Sequence, residues 1–164
     1  MDESPRVRRA TADDVEAIEV LVTESFDKYV ERIGKPPAPM LADYAGLLDT
    51  SRVWVIERRD DVIAVLVTQH ITRPDGDHLL LDTVAVAPGA QGGGHGRRLL
   101  ELAERDAIEH GLTEVRLVTN EAMTENLVFY PRHGYRETGR AVQDGYRRVF
   151  FSKSLGREGL TSPK

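Results

Sequence analysis

The sequence predicts an α+β fold, a mostly antiparallel mixed sheet with one parallel strand pair and helices packed against it. Three observations predict it. Two pairs of strand-like segments are each joined by a short polar turn, giving two antiparallel hairpins. Between them an apolar strand enters a glycine-rich turn, then an amphipathic helix, then another strand; such a unit normally closes right-handed with its strands parallel. Ahead of both, apolar residues recur at three- and four-residue steps from Val15 to Ile33, the period of an amphipathic helix.

Arg6 to Ala10 is extended in character, and Thr11 with Asp14 three residues on is close to a capping box. Val15, Ile18, Leu21, Val22, Phe26, Tyr29 and Ile33 form the apolar face of the first helix, which Gly34 ends. Lys35 to Pro39 cannot continue a helix, because proline lacks an amide donor and restricts the residue before it; Met40 to Leu48 resumes a short helical pattern. Val53 to Glu57 and Val62 to Gln69 make the first hairpin about Arg58 to Asp61. Arg73 to Gly76 is a turn, and His78 to Ala87 is the strand that feeds the glycines.

Leu99, Leu100, Ala103, Ala107 and Ile108 form the buried face of the next helix, with Glu101 and Arg105 on its exposed side and Gly111 at its end. Val115 to Val118 is the parallel strand and Asn120 to Pro131 a further short helix. Tyr135 to Val142 and Tyr146 to Lys153 close the fold as a hairpin about Asp144-Gly145. Residues 1–155 read as one domain and Gly156 to Lys164 as a loose tail.

At 164 residues and 40% hydrophobic content, the chain suits one packed core. It has no cysteine, which removes disulfides and thiol nucleophiles and agrees with a reducing cytoplasm. Neither a membrane-length apolar run nor a signal-like start is present, so a soluble cytoplasmic protein is expected, with no membrane partner. A net charge of −5 argues against a nucleic-acid partner and for a cationic one. The histidines at 70, 78, 95, 110 and 133 show no ligand spacing, so no metal is expected. Oligomeric state is not readable from these features, and a homodimer is compatible with them.

The glycine-rich turn carries the chemistry. Gly92, Gly93, Gly94 and Gly96 lack the Cβ that would hold a ligand off the main chain, and the helix that follows adds free amides and a positive dipole end. Arg97 and Arg98 place cations in that first turn, where only a bound anion would make them welcome. The dinucleotide fingerprint fails, because its third glycine would fall on Arg97 or Leu99. The P-loop fails too, with His95 at the lysine position and Gly96 at the hydroxyl position.

What does match is Q-x-x-G-x-G, as Gln91-Gly92-Gly93-Gly94-His95-Gly96, preceded by V-A-V-A-P and followed by R-R-L-L. This closely resembles the acetyl-CoA pyrophosphate motif of the GNAT superfamily of N-acetyltransferases, and the order and spacing of elements agree with that family from about Val7 to Lys153. The resemblance implies a three-layer fold with the parallel pair at the acetyl-CoA site. It implies that Val84, Ala85 and Val86 line the pantetheine arm and that Gln91, Gly92, Gly93, Gly94, His95, Gly96 and Arg97 hold the phosphates. It also makes the first two helices and their loop a wall of the acceptor site, with Tyr29, Arg32, Met40, Asp43 and Tyr44 as candidate contacts.

Asn120 to Tyr135 extends the resemblance, with Tyr130 and Gly134-Tyr135 at family positions; the asparagine common seven residues before the tyrosine is replaced by Met123. Asn126, one helical turn before Tyr130, becomes the candidate pantetheine contact ahead of Asn120.

Acyl transfer to an amine needs a neutral amine, a stabilised oxyanion and a proton for the departing thiolate. The family places the Tyr130 hydroxyl as that acid, and a strand amide near Val84 suits the oxyanion. Asp82 shares a strand face with Val84 and Val86 and is the first candidate for holding or deprotonating the amine, with His78 and Glu125 behind it. The expected activity is therefore acetyl transfer from acetyl-CoA to a primary amine of a small molecule or an exposed protein amine. A noncatalytic acyl-CoA-binding module or sensor is the alternative.

Overall fold

The computed structural model describes residues 4–156. Seven strands, β1 (Arg6–Arg9), β2 (Arg52–Arg58), β3 (Asp61–Ile71), β4 (His78–Val86), β5 (Glu114–Asn120), β6 (Arg136–Gln143) and β7 (Tyr146–Ser154), hydrogen-bond in the order β1-β2-β3-β4-β5-β7-β6, and four α-helices complete the fold. Two compact units can be traced, the described residues up to Gln69 with Thr83–Leu99, and His70–Asp82 with those from Leu100 on. The chain crosses between them inside β3, β4 and the helix α3 (His95–Glu109).

In the first unit, β1 (Arg6–Arg9), β2 (Arg52–Arg58) and β3 (Asp61–Ile71) pair antiparallel, β2 and β3 through a two-residue turn in which Arg59 (φ 54°) and Asp60 (φ 67°) are both left-handed. That is the turn whose twist suits a tight hairpin. Thr11 closes on Asp14 as its spacing predicts, its N–H donating to Oδ2 at 2.7 Å, although a 3₁₀ turn (Ala12–Asp14) separates this cap from α1 (Val15–Ile33). The α1 stripe of Ile18, Leu21, Val22, Phe26 and Tyr29 is buried, as are Val53, Val55, Ile56 and the β3 run Ile63 to Val67. The predicted helix over 40–48 is broken instead into a 3₁₀ turn (Ala38–Leu41) and α2 (Tyr44–Thr50). Asp43 is extended and caps α2 by accepting from Gly46 N–H at 3.1 Å, so it starts a helix rather than continuing one.

In the second unit, the first half of β4 (His78–Val86) lies parallel to β5 (Glu114–Asn120), which pairs antiparallel with β7 (Tyr146–Ser154), itself paired with β6 (Arg136–Gln143). Leu79, Leu81, Leu100, Ala103, Ala107, Val115, Leu117, Val149 and Phe151 are all nearly inaccessible. Asn120 ends β5 rather than opening a helix: its Oδ1 accepts from Ala122 N–H at 2.8 Å, and α4 begins only at Thr124 and runs to Arg132. This local side-chain turn competes with the helix and wins. The tail from residue 157 lies outside the described residues.

Candidate active site

The predicted site residues fall into two sets, one on each unit. The first set sits where β4 runs out into the turn before α3 (His95–Glu109). The strand's burial alternates: Leu79, Leu81, Thr83 and Ala85 are buried, while Leu80, Asp82, Val84 and Val86 lie on the more open face. That is the side the two-residue period predicts for Asp82, Val84 and Val86. Ala85, expected beside them, faces the other way and is only 4% exposed, which leaves its main chain as its sole means of contact.

The Val86 carbonyl is tied down twice, accepting from Ser25 Oγ of α1 at 2.9 Å and from Gln91 Nε2 at 3.2 Å. Gln91 is thus a clip that folds the turn back onto its strand, and Ser25, on which the sequence gave no signal, helps to fix the strand end. A 3₁₀ turn (Pro88–Ala90) leads into the glycines. Gly92 (φ 88°) and Gly94 (φ 82°) are left-handed and Gly93 between them is not. Alternation of this kind turns successive amides into one concavity.

Among the described residues, the main-chain N–H groups of Gly92, Gly93, Gly94, His95 and Gly96 make no backbone hydrogen bond outside the helix, whose capping bond runs from Arg98 N–H to the Gly94 carbonyl at 3.1 Å. A Cβ built at Gly92 or Gly94 meets no protein atom within 4 Å and would project into open space at the turn. The cradle is therefore open to a ligand and lined by donors, as a pyrophosphate requires.

The side chain of His95 departs from expectation. It is buried, and a Cβ at Gly93 would come within 3.1 Å of its Nε2. Burial, with Arg58 and Arg98 nearby, holds its pKa below the ordinary imidazole range, so it packs uncharged beneath the turn and offers a ligand only its amide. Arg97 and Arg98 are exposed; Arg98 donates to the Pro5 carbonyl at 3.1 Å. A cleft of about 500 Å³ ends at Ala87 and is lined by Asp13, Glu16, Glu24 and Asp61. Four carboxylates would repel phosphate, so this cleft is no part of the cradle.

Of the candidate acceptor contacts on this unit, Tyr29 and Tyr44 are core residues, 5% and 2% exposed. Lys28 and Arg32 lie over the Tyr29 ring at 5.1 Å each, and the Tyr44 hydroxyl donates to the Pro39 carbonyl at 2.6 Å. Both shape the α1–α2 connection from inside. Met40 is half-buried on the 3₁₀ turn.

The second set begins at Asp82. The parallel ladder stops at Leu81↔Leu117, so Asp82 is the β4 residue that directly follows its end. Solvent reaches Asp82, yet the protein crowding its flanks displaces enough water to push its carboxyl above the ordinary carboxylate range. His78, the second candidate base, is 4% exposed with Nδ1 donating to the Gly76 carbonyl at 3.3 Å. It lies about 13 Å up the strand from Asp82, at 3.3 Å per residue. Glu125 is exposed on the first turn of α4.

Asn126 is held in place: Nδ2 donates to Thr119 Oγ1 of β5 at 2.9 Å, and Thr119 in turn leans on the Met123 sulfur at 3.4 Å. Met123, standing where the family often has asparagine, is buried and serves as packing. Tyr130 is 6% exposed, its ring set against Phe129, Tyr135 and Phe151 with centroids 5.2, 5.8 and 5.9 Å away. Its neighbour Tyr135 is anchored differently, donating to Glu104 Oε2 at 3.2 Å while Lys153 Nζ holds Oε1 of the same carboxylate at 3.1 Å. Burial and that carboxylate drive the Tyr135 pKa far up, so Tyr135 is a structural post. Gly134 (φ 93°) before it is left-handed and closely approached by Lys153. The histidines expected to show no ligand spacing include a pair, His70 and His110, that the fold brings together with Asp106.

Among the described residues, no helix is long and apolar enough to cross a membrane. No curated protein matches the chain. Solved structures do. An acetyltransferase of the GNAT family from Desulfovibrio desulfuricans superposes with a TM-score of 0.75 at 18% identity, over 93% of this chain and 100% of that one. The PaiA N-acetyltransferase from Thermoplasma acidophilum, in complex with coenzyme A, gives 0.75 at 17% identity over 92% and 99%. A GNAT family acetyltransferase from Elizabethkingia anophelis with acetyl-CoA bound gives 0.63 at 17% identity over 94% and 100%. These likenesses establish the fold. The acetyltransferase (GNAT) domain model matches residues 49–137, more than half of the sequence, and the chain therefore belongs to the GNAT family of acetyltransferases.

Proposed function

We propose that this protein transfers the acetyl group of acetyl-CoA to a primary amine, either of a small molecule or exposed on another protein. The observation that carries the reading is the open row of amides from Gly92 to Gly96, a donor set built for a pyrophosphate at the start of a helix. Acetyl-CoA supplies the activated acyl group. The main chain of 84–86 and the Oδ1 of Asn126, whose amide nitrogen Thr119 already holds, suit the amides of a pantetheine arm.

Asp82 takes the proton that the attacking amine must lose, directly or through water. Its raised pKa brings it nearer to that task than an ordinary carboxylate. As the nitrogen–carbon bond forms and the carbon–sulfur bond breaks, the Tyr130 hydroxyl gives its proton to the departing sulfur, and the Val84 N–H steadies the carbonyl oxygen. Excess negative charge, −5 over the chain, favours a cationic acceptor. Thiol release from acetyl-CoA, followed across a panel of amines, tests this reading. Amine-dependent release supports it, whereas tight acetyl-CoA binding without release would make the chain a binding module.

A further inference from the structure

We propose that His70, Asp106 and His110 form a binding site for a divalent transition metal on the second unit. One ligand atom from each of the three lies within 4.8 Å of the others. They come from two elements that the fold joins. His70 stands at the end of β3, while Asp106 lies in the last turn of α3 and His110 directly follows it, four residues on and so on the same helix face. The two imidazole rings meet edge to face with centroids 4.6 Å apart and planes at 72°.

The protonation pattern suits a ligand. His110 Nδ1 lies 2.8 Å from the Asp106 carbonyl oxygen, which can only accept, so Nδ1 carries the hydrogen and the lone pair stays on Nε2. Anchoring of one ring nitrogen on a main-chain carbonyl is how proteins orient ligating histidines. Asp106 Oδ1 is 3.4 Å from the same nitrogen, and its side chain is only 5% exposed, against 44% for His110. A nearly buried carboxylate between two exposed imidazoles brings one oxygen and two nitrogen donors to one place, a set that suits a dication.

Two imidazoles and one carboxylate favour zinc, cobalt, nickel or copper over magnesium or calcium, which take oxygen ligands. Around a tetrahedral zinc with bonds of about 2.0–2.1 Å, ligand atoms stand about 3.3–3.5 Å apart. Closing the site therefore draws the ligand atoms inward, a movement that rotation of two exposed histidine side chains supplies. Three protein ligands leave a fourth position for water, and the bound ion would staple the end of β3 to the end of α3.

Tag-free protein, stripped with a chelator and dialysed, is titrated with Co²⁺ and then with competing Zn²⁺, following visible absorption. One equivalent of Co²⁺ should give the intense bands of a four-coordinate site, and Zn²⁺ should displace them. His70→Ala and His110→Gln alter exposed side chains, so thermal melts should show the fold intact while affinity falls about tenfold or more. Asp106→Asn should do the same, and the two histidine variants decide the matter if it melts early. Metal added to the wild type should raise its melting temperature, and not that of the variants. Absence of saturable uptake, or uptake that survives in both folded histidine variants, overturns the site.

Discussion

Gly94→Ala separates two properties of the turn that a bulkier change would confuse. At φ 82° a side chain is strained whatever room it has, and the left-handed conformation costs a non-glycine residue about 1–2 kcal/mol. No protein atom lies within 4 Å of the added Cβ, so no clash adds to that cost. In a domain of this size the melting temperature should fall by roughly 2–8 °C.

The methyl group also enters the mouth of the cradle. If it displaces the pyrophosphate from one amide, the lost charge-assisted hydrogen bond costs about 1.5–3 kcal/mol, or roughly 10- to 100-fold in acetyl-CoA affinity. Gly111→Ala is the matched control. It has φ 75°, open space about its Cβ, and a place just past the far end of the 15-residue α3, about 22 Å along the axis. It should cost the same stability and leave affinity alone. Calorimetry with coenzyme A and acetyl-CoA, paired with thermal melts, measures both. Equal affinities for the two variants, within about twofold, would refute the cradle.

Three further changes probe the remaining residues. Tyr130→Phe keeps the ring among Phe129, Tyr135 and Phe151 and should lower kcat on the order of 10²- to 10⁴-fold with near-normal acetyl-CoA affinity; survival within about twofold would make the residue packing only. Asp82→Asn should slow turnover yet raise stability at neutral pH. A carboxyl whose folded pKa lies above its unfolded value weakens the fold progressively as pH rises from the unfolded value through the folded one, and asparagine removes that loss; a drop in melting temperature at pH 7.5 would show instead that the carboxylate is a structural partner. Arg8→Ala strips a nearly buried Asp14 of two bonds at 2.8 and 2.9 Å and should cost about 1–3 kcal/mol. Because Arg8 holds the Asp14 carboxyl below its usual range, wild-type stability is present above the unfolded pKa and fades as pH falls through the folded one. The variant should lose that acid dependence, which urea melts at several pH values would record.

Local pattern carried far in this chain. The α1 stripe, both hairpins and the parallel pair follow from spacing and turn chemistry, because each is settled within a few residues. What was illegible needed tertiary partners. Gln91 and His95 have the right types in the right motif, yet one side chain spends a donor on the Val86 carbonyl and the other turns inward, which spacing alone does not show. Tyr29 and Tyr44 are acceptor candidates through the family resemblance, which does not tell which side of a wall a ring occupies, and both rings are buried. Asp106 and His110 show a ligand-like spacing on one helix face, but the third member, His70, arrives from a strand far earlier in the chain. Thr119, which steadies Asn126, gave no signal at all.

The central claim is acetyl transfer, and the most direct measurement is continuous detection of free thiol from acetyl-CoA with the wild-type protein and a panel of primary amines, the product identified by mass spectrometry. At least one amine should raise thiol release well above the amine-free rate and be recovered acetylated, with Tyr130→Phe losing most of that increment. Saturable acetyl-CoA binding with no amine-dependent thiol release across the panel would contradict the account.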